Sequence, residues 1–356
     1  MALPTTTPAW LVKEGDADEF PKLELVQDVS IPSLGSHDVL VRIEAVSLNY
    51  RDLMIAQFYV DYSKGTYPFG LKKQLVPCSD GAGIVVALGS ETTQFAVGDR
   101  VCTLFNTHHQ TNPLTPQALK ATSGSSADGT LRKYAVFPDF GLILAPPSLN
   151  AVEASTLTVA PLTAWNSFYG LPSKTIKPGD WVLTQGSGGV SLSAIQLAAA
   201  AGATVVATTS SEEKAETLRK LGASHVINYR QTPNWGEVAR SLTPSAVGFD
   251  HIVDVGGGKT LKQSLKAIKL EGVISLIGAL DGGSDFPGLP DFVPSFSILR
   301  GVLVGSKQQF EDMNLAIEAA KIRPVVDPKE FFFDDVIEAF KYQKACKHFG
   351  KVVVRF

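Results

Sequence analysis

Apolar and polar positions alternate with a period of two up to about residue 150, in stretches such as "DVLVRIEAVSL" and "GAGIVVALGS" separated by Gly, Pro and Asp turns. That period places apolar side chains on one face of a strand. Strand succeeds strand there with little helical periodicity, which predicts a β-rich antiparallel unit. From about Ala151 the pattern changes. Apolar strands ("DWVLTQG", "GATVVATT", "HVINY", "FDHIVDV", "GVISLIGAL", "GVLVGS") alternate with helical stretches such as "EEKAETLRKLG". Strands separated by helices are the pattern of a parallel sheet with crossover helices.

After Ser306, "QQFEDMNLAIEAAKI" predicts a helix, and the chain ends on the strand "KVVVRF" with no crossover after it. That tail is assigned back to the β-rich unit. The expected fold is therefore α/β, with residues 1–150 and 307–356 in one domain and the parallel-sheet domain, 151–306, inserted between them. The polar, turn-rich segment His108 to Thr130 reads as a long loop that is mobile or borders a site.

Composition narrows the class without naming it. A chain of 356 residues suits about two domains, and an apolar fraction of 44% fills both cores. The formal net charge of −3 gives no electrostatic reason for nucleic acid or an anionic membrane. No secretory signal or membrane-length span is evident, so the cytosol is the expected compartment. Cys78, Cys102 and Cys346 are too scattered for a disulfide framework or a CxxC-type metal site, and read as buried small hydrophobes. His108 and His109 read as exposed loop residues.

The chemistry begins at "WVLTQGSGGVSLSAIQLA", Trp181 to Ala198, where a strand hands over to a helix through Gly186, Gly188 and Gly189. Glycines there let the backbone approach a pyrophosphate while free N–H groups at the helix start face the anion. Ser191 replaces the third glycine of the GxGxxG pattern, so the strand and helix on either side carry the inference of dinucleotide binding. About 20 residues on, an NAD site usually has Asp or Glu at the tip of the next strand. Here stand Thr208, Thr209, Ser210 and Ser211, with Lys214 one turn later. Hydroxyls and a cation suit a ribose 2′-phosphate, so NADPH is the expected coenzyme. Glu212 and Glu213 are discordant and would have to point away. A plainer reading has Ser210 capping the next helix, with Glu213 completing a capping box.

The stretches "SLNYRDLMI", "VPCSDGAGIVVALGSETTQFAVGDRV", "PLTAWNSFYGL", "QGSGGVS", "LGASHVINYR" and "HFGKVVVRF" together resemble the medium-chain dehydrogenase/reductase superfamily, and within it the zinc-independent quinone oxidoreductase-like group. The resemblance implies a GroES-like β-rich catalytic domain, a Rossmann coenzyme domain and a cleft between them. It implies that Asn49 and Thr163 border the nicotinamide and that Gly188, Gly189 and Val190 hold the pyrophosphate. Ser210, Lys214 and Tyr229 would then meet the 2′-phosphate, and Gly278, Gly305 and Ser306 would line the nicotinamide through backbone groups. Zinc-dependent relatives place Cys at the position of Asn49 and His-Glu at Ser79 and Asp80, and the structural-zinc loop has no counterpart, so no metal is expected.

The leading expectation is an NADPH-dependent reductase of quinones or α,β-unsaturated carbonyls acting on a small apolar substrate, with Asn49 and Tyr59 as candidate catalytic residues. The family often has tyrosines after this segment, but alignment among Tyr59, Tyr62 and Tyr67 leaves the proton donor open. The alternatives are a zinc-free alcohol or aldehyde dehydrogenase and a non-catalytic NADPH-binding structural or sensor protein. "GVLVGS" is the candidate edge strand, and a homodimer is expected from the resemblance, with a monomer as the alternative.

Overall fold

The computed structural model of the chain describes residues 3–13, 19–58, 70–278 and 286–356. It forms two compact units, Met1–Val159 with Ser306–Phe356, and Ala160–Gly305.

The first unit opens with the antiparallel pair β1 (Thr6–Val12) and β2 (Leu23–Ser30). Its spine is β3 (Asp38–Ser47), whose alternation buries Val39, Val41 and Ile43. The nine-residue α1 (Tyr50–Phe58) follows at once, burying Leu53, Ile55 and Ala56. This helix interrupts the region expected to hold only strands, because two turns are too few to stand out as a helical period. Next come β4 (Asp80–Leu88), β5 (Arg100–Thr103), β6 (Tyr134–Pro138) and β7 (Leu142–Leu144). β4 and β6 both run antiparallel to β3. The short α2 (Ala151–Ala154) is closed by a capping box between Asn150 and Glu153.

The second unit alternates as its sequence pattern requires. In chain order it contains α3 (Ala160–Tyr169), β8 (Trp181–Gln185), α4 (Gly189–Ala200), β9 (Thr204–Thr209), α5 (Glu212–Lys220) and β10 (Ala223–Asn228). It continues through α6 (Trp235–Leu242), β11 (Phe249–Asp254), α7 (Gly258–Ala267), β12 (Ile268–Leu276), α8 (Leu289–Phe292) and β13 (Ile298–Gly301). The strands form one parallel sheet in the order β10-β9-β8-β11-β12-β13, the doubly wound order of dinucleotide-binding domains. Leu183, Val206, Ile252 and Ile274 are wholly buried along its middle. Helices on both faces of a parallel sheet explain why these strands read as apolar runs. The edge strand is β13, and "GVLVGS" overlaps it only at Gly301; the chain beyond leaves the sheet, and Val304 takes a left-handed φ of 46°.

The chain then returns to the first unit. α9 (Lys307–Ala320) starts at a capping box between Ser306 and Gln309, followed by β14 (Phe331–Phe332), α10 (Val336–Lys344) and β15 (Val353–Arg355). β15 pairs antiparallel with β3, so the last residues complete the sheet that the first fifty began.

Other expectations need correction. From Ala118 on, the segment from His108 to Thr130 is packed, with Ala118, Thr122, Ser123 and Ser125 buried and Thr122 Oγ1 donating to Asn106 Oδ1 at 2.7 Å, while residues 111–117 are exposed. His109 is buried within it, while His108 stays exposed. Cys78 and Cys102 are buried but Cys346 is exposed. Among the described residues no helix is long and apolar enough to cross a membrane.

Candidate functional site

In the second unit the glycine turn joins β8 to α4 at the carboxyl end of the sheet, where open α/β folds bind their ligands. Gly186 has φ 76°, a left-handed conformation that side chains disfavour. Gly188 is extended (φ −81°) and is the N-cap of α4, with no side-chain cap over the helix start. A Cβ at Gly188 would meet nothing within 4 Å, so its bareness leaves room outside the turn, not inside the fold. Gly189 and Val190 open the helix and present its first N–H groups. Ser191, in place of the third glycine, donates from Oγ to Gln185 O at 2.5 Å and ties the helix to its strand. A pyrophosphate fits this cradle.

The neighbouring helix start is closed. Asp254, at the end of β11 and fully buried, accepts from the N–H groups of Gly256 and Gly257 and from Thr260 Oγ1, Ser264 Oγ and Gln185 Nε2. Its carboxylate fills the place an anion would take before α7. In the sequence this network corresponds to the "DVGGGKT" run, Asp254 to Thr260.

At the tip of β9, Thr208 and Thr209 are buried and no acid stands there. Ser211 is the N-cap of α5, without a side-chain cap bond, so the expected capping box from Ser210 to Glu213 does not form. The chain stays extended one residue longer because Ser211 N donates to Thr209 Oγ1. Glu212 is drawn to Asn228 Nδ2 at 3.1 Å. Ser210 Oγ, the half-buried Lys214 ammonium and the exposed Tyr229 hydroxyl have no partner among the described residues. Arg230, next to Tyr229, likewise offers a guanidinium with no partner among them, a further cation beyond the three residues the sequence pattern marks. This set of donors fits a phosphate group.

Toward the other side of the sheet, Thr163 is buried on α3, Gly278 follows β12 and Gly305 is buried after β13. Ile277 N donates to Asp254 O, and Val302 N to Leu276 O, which aligns the ends of β11, β12 and β13.

The first unit holds a separate polar cluster at the junction of β3 and α1. Asp52 is wholly buried and accepts from Asn49 N at 2.7 Å and from Arg51 Nη1 at 3.2 Å. It therefore orients local backbone, as a carboxylate at a helix start does. Lys351, preceding β15, is also buried and donates from Nζ to Leu48 O at 2.7 Å and to Asn49 Oδ1 at 2.5 Å. Its ammonium lies 3.5 Å from Asp80 Oδ2, while Asp80 Oδ1 accepts from Ser79 Oγ at 3.0 Å. Among the described residues neither Asn49 Nδ2 nor Asp80 Oδ2 has a partner at hydrogen-bond geometry. Burial pushes the Asp80 carboxyl up to about 6, against the pull of Lys351, and raises Asp52 against the pull of Arg51. The buried Cys78 thiol is pushed well up, by burial and then by Asp52. Of the residues expected to stand where zinc-dependent relatives carry donors, Asn49 and Asp80 thus flank an internal ammonium, and Ser79 is bonded to Asp80. Lys351 was invisible to motif reading beyond its place in "HFGKVVVRF". Tyr59, with Tyr62 and Tyr67, lies outside the described residues.

Residues 35–147 match the alcohol dehydrogenase GroES-like domain, and residues 189–319 match the zinc-binding dehydrogenase family. A zinc-type alcohol dehydrogenase-like protein of Schizosaccharomyces pombe is 42% identical over 334 residues, covering 92% of this chain and 94% of its own. An NADPH-dependent alkenal/one oxidoreductase of Arabidopsis thaliana, chloroplastic, is 29% identical over 99% of this chain and 80% of its own. A crystal structure described as an alcohol dehydrogenase from Sinorhizobium meliloti 1021 superposes with a TM-score of 0.88 at 36% identity, covering all of both chains. The chain belongs to the medium-chain dehydrogenase/reductase superfamily, with a GroES-like unit and a Rossmann unit. It is accordingly an oxidoreductase of that family.

Proposed function

We propose that this chain is an NADPH-dependent reductase of quinones or α,β-unsaturated carbonyl compounds that works without zinc. The observation that carries the reading is the ammonium of Lys351, held by Asn49 and beside Asp80 where a metal would need its donors. A fixed internal cation opposes a second, divalent one at short range.

Bound NADPH supplies the hydride. Gly188, Gly189 and Val190 hold its pyrophosphate, and Ser210, Lys214 and Tyr229 its 2′-phosphate, joined by Arg230. Within the second unit, Thr163, Gly278 and Gly305 line the nicotinamide. Reduction of a simple ketone concentrates charge on one oxygen, which a zinc ion would stabilise by several kcal/mol. Reduction of a quinone or an enone spreads that charge over a conjugated system, for which hydrogen-bond donors suffice. The substrate is therefore a small apolar conjugated carbonyl compound or quinone, and water completes the protonation. The Arabidopsis relative, described as acting on alkenals and alkenones with NADPH, supports this reading.

Product analysis tests it. An enone incubated with NADPH should give the saturated ketone, and a matched saturated ketone should react far more slowly. The allylic alcohol as product would favour a zinc-free alcohol dehydrogenase, and tight NADPH binding without turnover would favour a sensor. We also infer self-association through the edge of β13, which no strand covers among the described residues and where the preceding Val293 and Phe296 are exposed. Sedimentation at the 38.0 kDa of one chain would overturn that inference.

A further inference from the structure

One side chain fastens the helix bearing Thr163 to the segment that leaves β13. Asn166 Nδ2 donates to Val304 O at 2.6 Å. Arg300, on β13, donates from Nη1 to Asn166 O at 2.8 Å and from Nη2 to Asn166 Oδ1 at 2.6 Å. The guanidinium has no acceptor to offer, so it selects the oxygen end of the carboxamide and turns the nitrogen end toward Val304. The surroundings are built to this clamp: a Cβ on Gly170 would come within 1.7 Å of Asn166 Oδ1 and 2.4 Å of Arg300 Nη2.

The clamp acts on a costly backbone. Val304 is β-branched and buried, yet has φ 46°, a conformation that persists only where neighbours over-determine it. In a trans peptide the carbonyl and the next N–H point opposite ways. Anchoring Val304 O on Asn166 therefore aims the N–H of Gly305 away from the clamp. Gly305 is buried, and its N–H has no partner among the described residues. Buried unpaired N–H groups are rare in native proteins and point to an acceptor supplied by a ligand. The segment follows β13, on the opposite side of β8 from the adenosine end at β9 and β10.

We propose that Arg300 and Asn166 are positioning residues for the coenzyme, holding the Val304–Gly305 peptide so that its N–H meets the carboxamide oxygen of the nicotinamide. This rests on the dinucleotide reading above and deepens it. The adenosine half of the ligand does not use the clamp.

The test is isothermal titration of the full-length chain with NADPH and, separately, with adenosine 2′,5′-bisphosphate, which lacks the nicotinamide. Asn166→Asp keeps both acceptors for Arg300 but sets an oxygen against Val304 O. It should weaken NADPH at least about tenfold, the cost of losing one well-placed hydrogen bond, and leave the bisphosphate within about twofold of wild type. Arg300→Met should show the same split and serves if the first variant does not fold. Equal NADPH affinity in variant and wild type, or equal losses for both ligands, would overturn the clamp while leaving the coenzyme reading intact. A wild type that binds neither NADPH nor NADH overturns the coenzyme reading itself and the clamp with it. If the wild type prefers NADH, the same split is read with NADH and ADP.

Discussion

Lys351 Nζ donates to Asn49 Oδ1 at 2.5 Å, and both side chains are buried, with 6% and 9% of their surfaces exposed. Their separation of 302 positions in the chain is bridged by the pairing of β15 with β3. This places the one buried ammonium of the cluster beside a buried carboxylate, and the stability of the first unit depends on their balance.

Removing the cation should be expensive. Lys351→Met leaves Asp80 uncompensated, and breaking a buried pair from one side costs about 3–5 kcal/mol. Denaturant unfolding at pH 7.5 should show that loss. At pH 5 the loss should be smaller, because Asp80 can then take a proton. An equal loss at both values would mean that packing, not charge, is responsible.

The pH dependence of Asp80 has a definite sign. Its folded value, about 6, lies above the ordinary 3.8, so the folded state holds the proton more tightly than the unfolded chain. Stability from this group is fully present below about pH 4, declines as the pH rises through about 6, and is level beyond. Asp52 is raised in the same direction. Unfolding free energies of wild type and Asp80→Asn should therefore differ in slope between pH 4 and 6.5, with the decline shallower in the variant. Parallel slopes would remove Asp80 from the account.

Coenzyme choice depends on the cation one turn into α5. Lys214→Ala should weaken NADPH by about 1.5–3 kcal/mol, the worth of a charge-assisted hydrogen bond, and leave NADH nearly unchanged. Dissociation constants for the two coenzymes measure this directly. A wild type with equal kcat/KM for both would contradict the assignment.

Gly188 separates conformational need from close approach. Its backbone is extended and a Cβ there has open space, so Gly188→Ala should keep the unfolding free energy within about 1 kcal/mol. The added methyl should nevertheless lower NADPH affinity about tenfold, the equivalent of one lost backbone hydrogen bond to the pyrophosphate. Unchanged affinity would place the pyrophosphate elsewhere.

Metal content is a further check. Purified protein should carry no stoichiometric zinc by elemental analysis, and a chelator should leave its activity intact. About one tightly held zinc per chain would require a ligand set other than Asn49, Ser79 and Asp80.

Features legible in the sequence were those written within a few adjacent residues. The strand, glycine turn and helix from Trp181 to Ala198 declare themselves by period and by turn chemistry, and the absent acid after β9 is read from one short run. The alternation of strands and helices after Ala151 is equally local, because burial on both faces of a parallel sheet demands apolar runs. What the tertiary structure decided concerns partners far apart in the chain. No spacing rule brings Lys351 to Asn49, or Arg300 and Val304 to Asn166, since charge compensation and peptide orientation depend on which strands pair. The same reason buried His109 and ended β13 at Gly301. Periodicity specifies which face of an element is apolar; only packing specifies what that face, and each polar group on it, will meet.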